Sequence, residues 1–191
     1  LPWPKAPRLN TLPGRKALIV ISPTVHLSAR QLLREALRRK PGLKCDVLEI
    51  QPGADISAAA AQSREGYDCV MAMGGDGTAA AVCQALDGVP VPLGILPAGT
   101  GNLVARELGI PLDPVEAFAL ATAPDAKMRA IDAMRIEGRI FLLNAGVGVN
   151  AETIDKTSRL GKTLFGRSAY IGTAVWKVLE SRATPLEIEI D

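Results

Sequence analysis

The chain is short of the side chains that most hydrolytic and redox enzymes rely on. It has one histidine, His26, and three cysteines, Cys45, Cys69 and Cys83, with no Cys-x-x-Cys spacing. That argues against a zinc centre and against a Ser-His or Cys-His nucleophile pair. Cys45 and Cys69 sit in apolar, strand-like runs, where reduced, buried thiols of a cytoplasmic protein are expected. Neither sign of charge dominates, since the net charge is +2, so no nucleic-acid partner is indicated. No apolar run approaches the roughly 18 residues of a membrane span. The opening LPWPKAPRLNTLPGRK carries four prolines and no apolar core, so it reads as a loose lead-in and not as a signal peptide. The first residue is Leu1 and not Met, as in a segment excised from a longer chain.

What the chain does have is an alternation of apolar runs and amphipathic stretches. KALIVIS (16–22), KCDVLEI (44–50), YDCVMAM (67–73) and VPLGILP (91–97) read as strands, and their near-continuous apolar character is that of strands covered on both faces. Between and after them lie helical patterns. One opens at Ser28, with Gln31 three residues on as a capping box, and carries Leu33 and Leu37 on one side and Arg30, Arg34 and Arg38 on the other. Those arginines read as a solvated helix face, with anionic lipid headgroups as the alternative partner. The other helices are expected at 55–66, capped by Asp55 or Ser57, at 78–86, at 102–108 and at 113–123, where Pro114 follows a cap. The pattern predicts an α/β fold with a doubly wound parallel sheet. After about residue 126 the texture changes to a β-hairpin over 127–147, a helical stretch over 150–182 and a last strand, PLEIEID. The expected organisation is a nucleotide-binding α/β domain over 14–125 and a β-rich second domain over 126–191 that reads as cut short.

Two glycine clusters stand at the ends of the third and fourth strands: GGDGT at 74–78 and AGTGN at 98–102. Glycine weakens regular structure, so its clustering needs a cause. Each cluster alone fits a tight strand-to-helix turn. Together, at the edge where α/β sheets bind ligands, they point to one shared phosphate cradle. Backbone amides at a helix start can meet an anion there without a Cβ in the way. Asp76 would repel a phosphate unless Mg²⁺ or a hydroxyl lay between them, which fits phosphoryl chemistry. Thr78 and Thr100 can donate hydroxyl hydrogen bonds, and Asn102 can cap a helix or touch a nucleotide. The chain has no GxxxxGK[ST] and no GxGxxG in its first βα turn, so neither a P-loop nor an ordinary dinucleotide fold is expected.

On these residues the chain resembles the catalytic domain of the diacylglycerol kinase family, which includes bacterial lipid kinases and sphingosine kinases. The resemblance is carried by GGDGT (74–78), LGILPAGTGNLVARELGIP (93–111), AIDAMRIEGRIFLLNAGVGVNAE (130–152) and GRSAYIGTAVWKVL (166–179). GGDGT alone is shared with NAD kinases. The resemblance implies a two-domain, ATP-dependent kinase acting on the hydroxyl of a diacylglycerol or sphingoid-type lipid. Its nucleotide contacts would be Gly74, Gly75, Asp76, Gly77, Thr78, Gly99, Thr100, Gly101 and Asn102. Asp76 would be the catalytic residue and would lie near Mg²⁺. It also implies further chain past Asp191 with the general base and a structural Mg²⁺ site, a cytoplasmic location with peripheral membrane contact, and room for a homo-oligomer. Ser22 stands where the family has an Asn after its first strand. The competing readings are an NAD-kinase-like enzyme with a soluble acceptor and a nucleotide-binding module without transfer activity.

Overall fold

A computed structural model describes residues 16–143. Four strands, β1 (Lys16–Ile21), β2 (Lys44–Glu49), β3 (Cys69–Gly74) and β4 (Leu93–Pro97), form one sheet in the order β2-β1-β3-β4. All three pairings are parallel, with Ala17 level with Cys45 on one side and with Cys69 on the other. The helices are α1 (Leu27–Arg38), α2 (Ile56–Ser63), α3 (Asp76–Ala85), α4 (Leu103–Glu107) and α5 (Pro114–Ala121). The doubly wound α/β fold expected from the alternation is therefore the observed one.

The two-residue period of a strand divides the apolar residues between two cores. Ile19, Ile21, Met71, Met73 and Leu96 face Leu33 of α1 and Phe118 of α5. Leu18, Val20, Val70 and Ala72 face Ala60 of α2 and Val82 of α3. Phe118 is almost fully enclosed, which alone contributes about 2–3 kcal/mol of transfer free energy. Strands β1 and β3 are central and buried. β2 lies at the sheet edge, and its burial is broken, with Lys44, Asp46 and Val47 exposed. The expectation of burial on both faces does not hold there. Asp46 instead meets Lys16 Nζ at 3.0 Å and the Tyr67 hydroxyl at 2.7 Å, a charged dressing suited to an open edge.

The order in which successive strands are added reverses between β1 and β3, with β2 laid on one side of β1 and β3 and β4 on the other. From β1 the chain leaves to α1 on one face, and from β3 it leaves to α3 on the other. This is the switch point at which α/β sheets open a crevice beyond their strand ends. A small antiparallel hairpin, β5 (Met134–Ile136) and β6 (Arg139–Phe141), follows. It starts later than the expected 127–147 span, of which 144–147 lie outside the described residues; Arg135 donates to both oxygens of Asp87, just past α3, and the Ile140 amide donates to Gln84 of α3. The helical stretch at 150–182 and the strand PLEIEID lie outside the described residues.

Candidate nucleotide site

Helix α3 begins at Asp76, two residues earlier than its apolar pattern suggests. Gly75 is its N-cap and supplies no side chain. The Gly75 carbonyl receives the amides of Thr78 and Ala79. Among the described residues, no acceptor meets the amides of Gly75, Asp76 and Gly77. Such orphan donors at a helix start carry the positive end of the dipole. Asp76, in that first turn, complements the dipole.

The two glycine loops lie against each other, because β3 and β4 are neighbours in the sheet. A Cβ built on Gly99 would come within 3.0 Å of the Gly75 Cα, closer than real Cβ atoms approach. The Ala98 amide donates to the Gly74 carbonyl at 2.8 Å. None of Gly74, Gly75, Gly77, Gly99 and Gly101 has a positive φ, so the need for glycine here is one of space and not of backbone hand. Gly99 is required by the opposite loop. Gly74 is required by Thr78, whose Oγ1 occupies the room a Cβ would take. Gly77 differs from both, since a Cβ there meets nothing within 4 Å.

Thr78 is only 6% exposed. Its hydroxyl sits over Gly74, near Ser22, and no described residue forms a hydrogen bond with it. Ser22 is 3% exposed and its Oγ lies 2.9 Å from Thr24 Oγ1. The crevice between β1 and β3 is thus lined by hydroxyls and unmet amides. Thr100 and Gly101 stand at the outer bend of the second loop, exposed.

Asn102 occupies the N-cap position of α4 but does not cap it. Its backbone is left-handed, with φ of 50°, which asparagine tolerates. Its Oδ1 accepts from the Gly99 amide and its Nδ2 donates to the Gly99 carbonyl, both at 2.9 Å. The cap of α4 comes from the other loop, where Asp76 Oδ1 accepts from the Val104 amide at 2.9 Å. Asp76 is therefore a brace between the loops as well as a carboxylate at the site. Its second oxygen, Oδ2, stands near Gly101. No group of three or more His, Cys, Asp or Glu side chains capable of holding a metal occurs among the described residues. A single carboxylate still suits Mg²⁺, which commonly takes one or two protein carboxylates and completes its shell with phosphate and water.

Residues 17–136 match the Diacylglycerol kinase catalytic domain. The chain belongs to that family. The match covers both glycine loops, and relatives extend over most of the chain. A Pseudomonas putida protein named "Probable lipid kinase YegS-like" is 31% identical over 92% of this chain and 60% of its own length. A Mycobacterium tuberculosis protein named "Diacylglycerol kinase" is 32% identical over 87% of this chain and 56% of its own. The crystal structure of a diacylglycerol kinase from Bacillus anthracis superposes with a TM-score of 0.62 at 25% identity, covering 78% of this chain and 53% of that one. The domain thus spans little more than half the length of these relatives.

Three features of this diacylglycerol kinase-family domain were not legible beforehand. Helix α1 is capped by His26, whose Nδ1 accepts from the Ser28 amide at 3.3 Å, in place of the expected capping box at Ser28. Asp76 caps a helix 28 residues further on. Arg30 is not solvated, because its guanidinium is enclosed by the loop after β1 and by Glu49. Glu49 is held below the usual carboxylate range, first by its hydrogen bond from Arg34; partial burial, the next largest effect, opposes this, and the charges of Arg30 and Arg34 add to the lowering.

Proposed function

We propose that this domain is the nucleotide-binding half of an ATP-dependent lipid kinase, which transfers the γ-phosphoryl group to a hydroxyl of a diacylglycerol- or sphingoid-type lipid. The observation that supports it best is the abutment of the two glycine loops at the strand ends, with the first three amides of α3 unmet. Phosphoryl transfer asks little covalent chemistry of a protein and much positioning of charge. On this reading the phosphates sit on the amides of Gly75, Asp76 and Gly77, with the Thr78 hydroxyl beneath them and Thr100 and Gly101 on the far side. Asn102 keeps the second loop in shape through Gly99. Mg²⁺, when bound, would be held by Asp76 with phosphate oxygens and would offset the charge that gathers during transfer. Family membership and the names carried by the relatives support the lipid as acceptor. No helix among the described residues is long and apolar enough to cross a membrane.

The test uses the full-length protein with γ-labelled ATP, Mg²⁺, mixed diacylglycerol and sphingosine vesicles, and NAD in the same reaction. Label in the organic phase supports the proposal. Label confined to the aqueous product would establish the NAD-kinase-like alternative, and ATP binding without transfer would leave a binding module.

A further inference from the structure

We infer that Arg30 is a positioning residue for this site, shaping the loop after β1 so that the crevice offers hydroxyls and not carbonyl oxygens to a phosphate. The inference rests on the nucleotide reading above. Arg30 lies on the first turn of α1, and its side chain is only 15% exposed. Its Nε donates to the Val25 carbonyl at 3.0 Å, and Nη2 donates to the carbonyls of Ser22 at 3.0 Å and Pro23 at 3.3 Å. Nη1 completes the set with Glu49 Oε2 at 2.6 Å. Three of the four carbonyls from Ser22 to Val25 thus accept from one planar cation, that of Ser22 also from the Val25 amide at 3.2 Å.

The other side of Ser22 faces the site. Its amide donates to the Met73 carbonyl of β3, its Cβ lies 3.0 Å from where a Gly74 Cβ would be, and its hydroxyl meets Thr24. Arg30 and Gly74 therefore flank the same residue. An unheld carbonyl in this loop would be free to turn toward the crevice and set a negative dipole against an incoming phosphate. A guanidinium prevents this because its rigid fork serves several acceptors at once, whereas the point charge of a lysine does not. Glu49 fixes the fork from behind. Its other oxygen is taken by Arg34, which is 57% exposed and touches no part of the loop among the contacts of the described residues. The basic stripe of α1 is thus divided in purpose, since four of the five Arg30 N–H donors are spent on this loop and on Glu49.

The experiment compares the full-length wild type with Arg30→Lys, Arg30→Ala and Arg34→Ala. It reads MgATP affinity by calorimetry, KM and kcat where transfer is measurable, and the melting temperature of each unliganded protein. Both Arg30 variants should weaken MgATP about tenfold, in Kd and in nucleotide KM, the loss expected for about one charge-assisted hydrogen-bond network. The lipid KM and kcat should stay within about twofold, and Arg34→Ala should leave MgATP affinity unchanged. A merely structural role would lower the melting temperature and the active fraction, hence kcat, and leave nucleotide KM alone. Arg30→Lys keeps the charge and the Glu49 partner, so it answers the question if Arg30→Ala fails to fold. Wild-type affinity in Arg30→Lys, or an equal loss in Arg34→Ala, would overturn the inference while leaving the nucleotide reading intact. A wild type that binds no MgATP would overturn both.

Discussion

Replacing Gly77 with alanine should make the apo protein more stable and its nucleotide site worse. Gly77 is the second residue of α3, its φ is not left-handed, and a Cβ at that position meets nothing within 4 Å. The substitution therefore adds no clash, while glycine inside a helix costs roughly 0.5–1 kcal/mol relative to alanine. Taking the lower end for a first-turn position, the melting temperature should rise by about 1–2 °C. A phosphate resting on the amides of Gly75 to Gly77 would meet the new methyl, so MgATP affinity should fall by at least about tenfold, or ~1.4 kcal/mol. Gly99→Ala is the internal control with the opposite sign. Its Cβ would be forced against the Gly75 backbone, which should cost about 1–3 kcal/mol and lower the melting temperature. Thermal denaturation followed by circular dichroism and MgATP calorimetry on both variants are sufficient. If Gly77→Ala binds MgATP as the wild type does, the glycine is not there for a phosphate and the site assignment is wrong.

Asp76→Ala should abolish transfer and also lower stability, since removing the carboxylate that caps Val104 costs about 0.5–2 kcal/mol; Asp76→Asn, which can still accept from that amide, should recover the stability in a thermal melt and not the activity. Glu49 has a depressed folded-state pKa, so its contribution is present above the unfolded carboxylate value, about 4.3, and is lost as pH falls through the lower folded value. The melting-temperature gap between wild type and Glu49→Gln should accordingly narrow in the acid range, and a constant gap from neutral to acid pH would contradict it. The Cys45 thiol is pushed up to about 11, chiefly by burial and then by the Asp46 charge. Iodoacetamide at pH 8 should therefore label it far more slowly in the folded protein than in urea, as peptide mapping would reveal.

The sheet was readable because its information is local. Continuous apolar runs mark β1 and β3, and Asp55 and Asp113 each cap a helix with their own side chain, the Oδ1 of Asp113 accepting from Val115 at 2.8 Å and Glu116 at 3.0 Å. The placement of the glycine clusters at strand ends was readable for the same reason, since each directly follows an apolar run. What escaped the sequence is non-local or turns on side-chain volume. The apolar pattern does not say which strand takes the edge, so the exposure of β2 was missed. Asp76 and Val104 are joined by a hydrogen bond that no helical or strand period connects. Asn102 looks like a helix cap by residue type, and only its left-handed backbone diverts its amide to Gly99. Arg30 shares a four-residue spacing with Arg34 and Arg38, which hides it in a solvated stripe. Its partner Glu49, at the end of the neighbouring strand, was the available signal.

Helix α4 has only five residues, too few to persist alone in water, and its first turn is stapled from a residue that precedes it by 28 positions. It cannot be an early event in folding. β3 must first lie beside β4 and α3 must start, and only then does the closing bond between Asp76 and Val104 have both ends in place. The Val104 amide is consequently a reporter on the assembled crevice. Its deuterium exchange should slow only when the whole strand edge is built, and should quicken selectively in any variant that loosens one loop from the other.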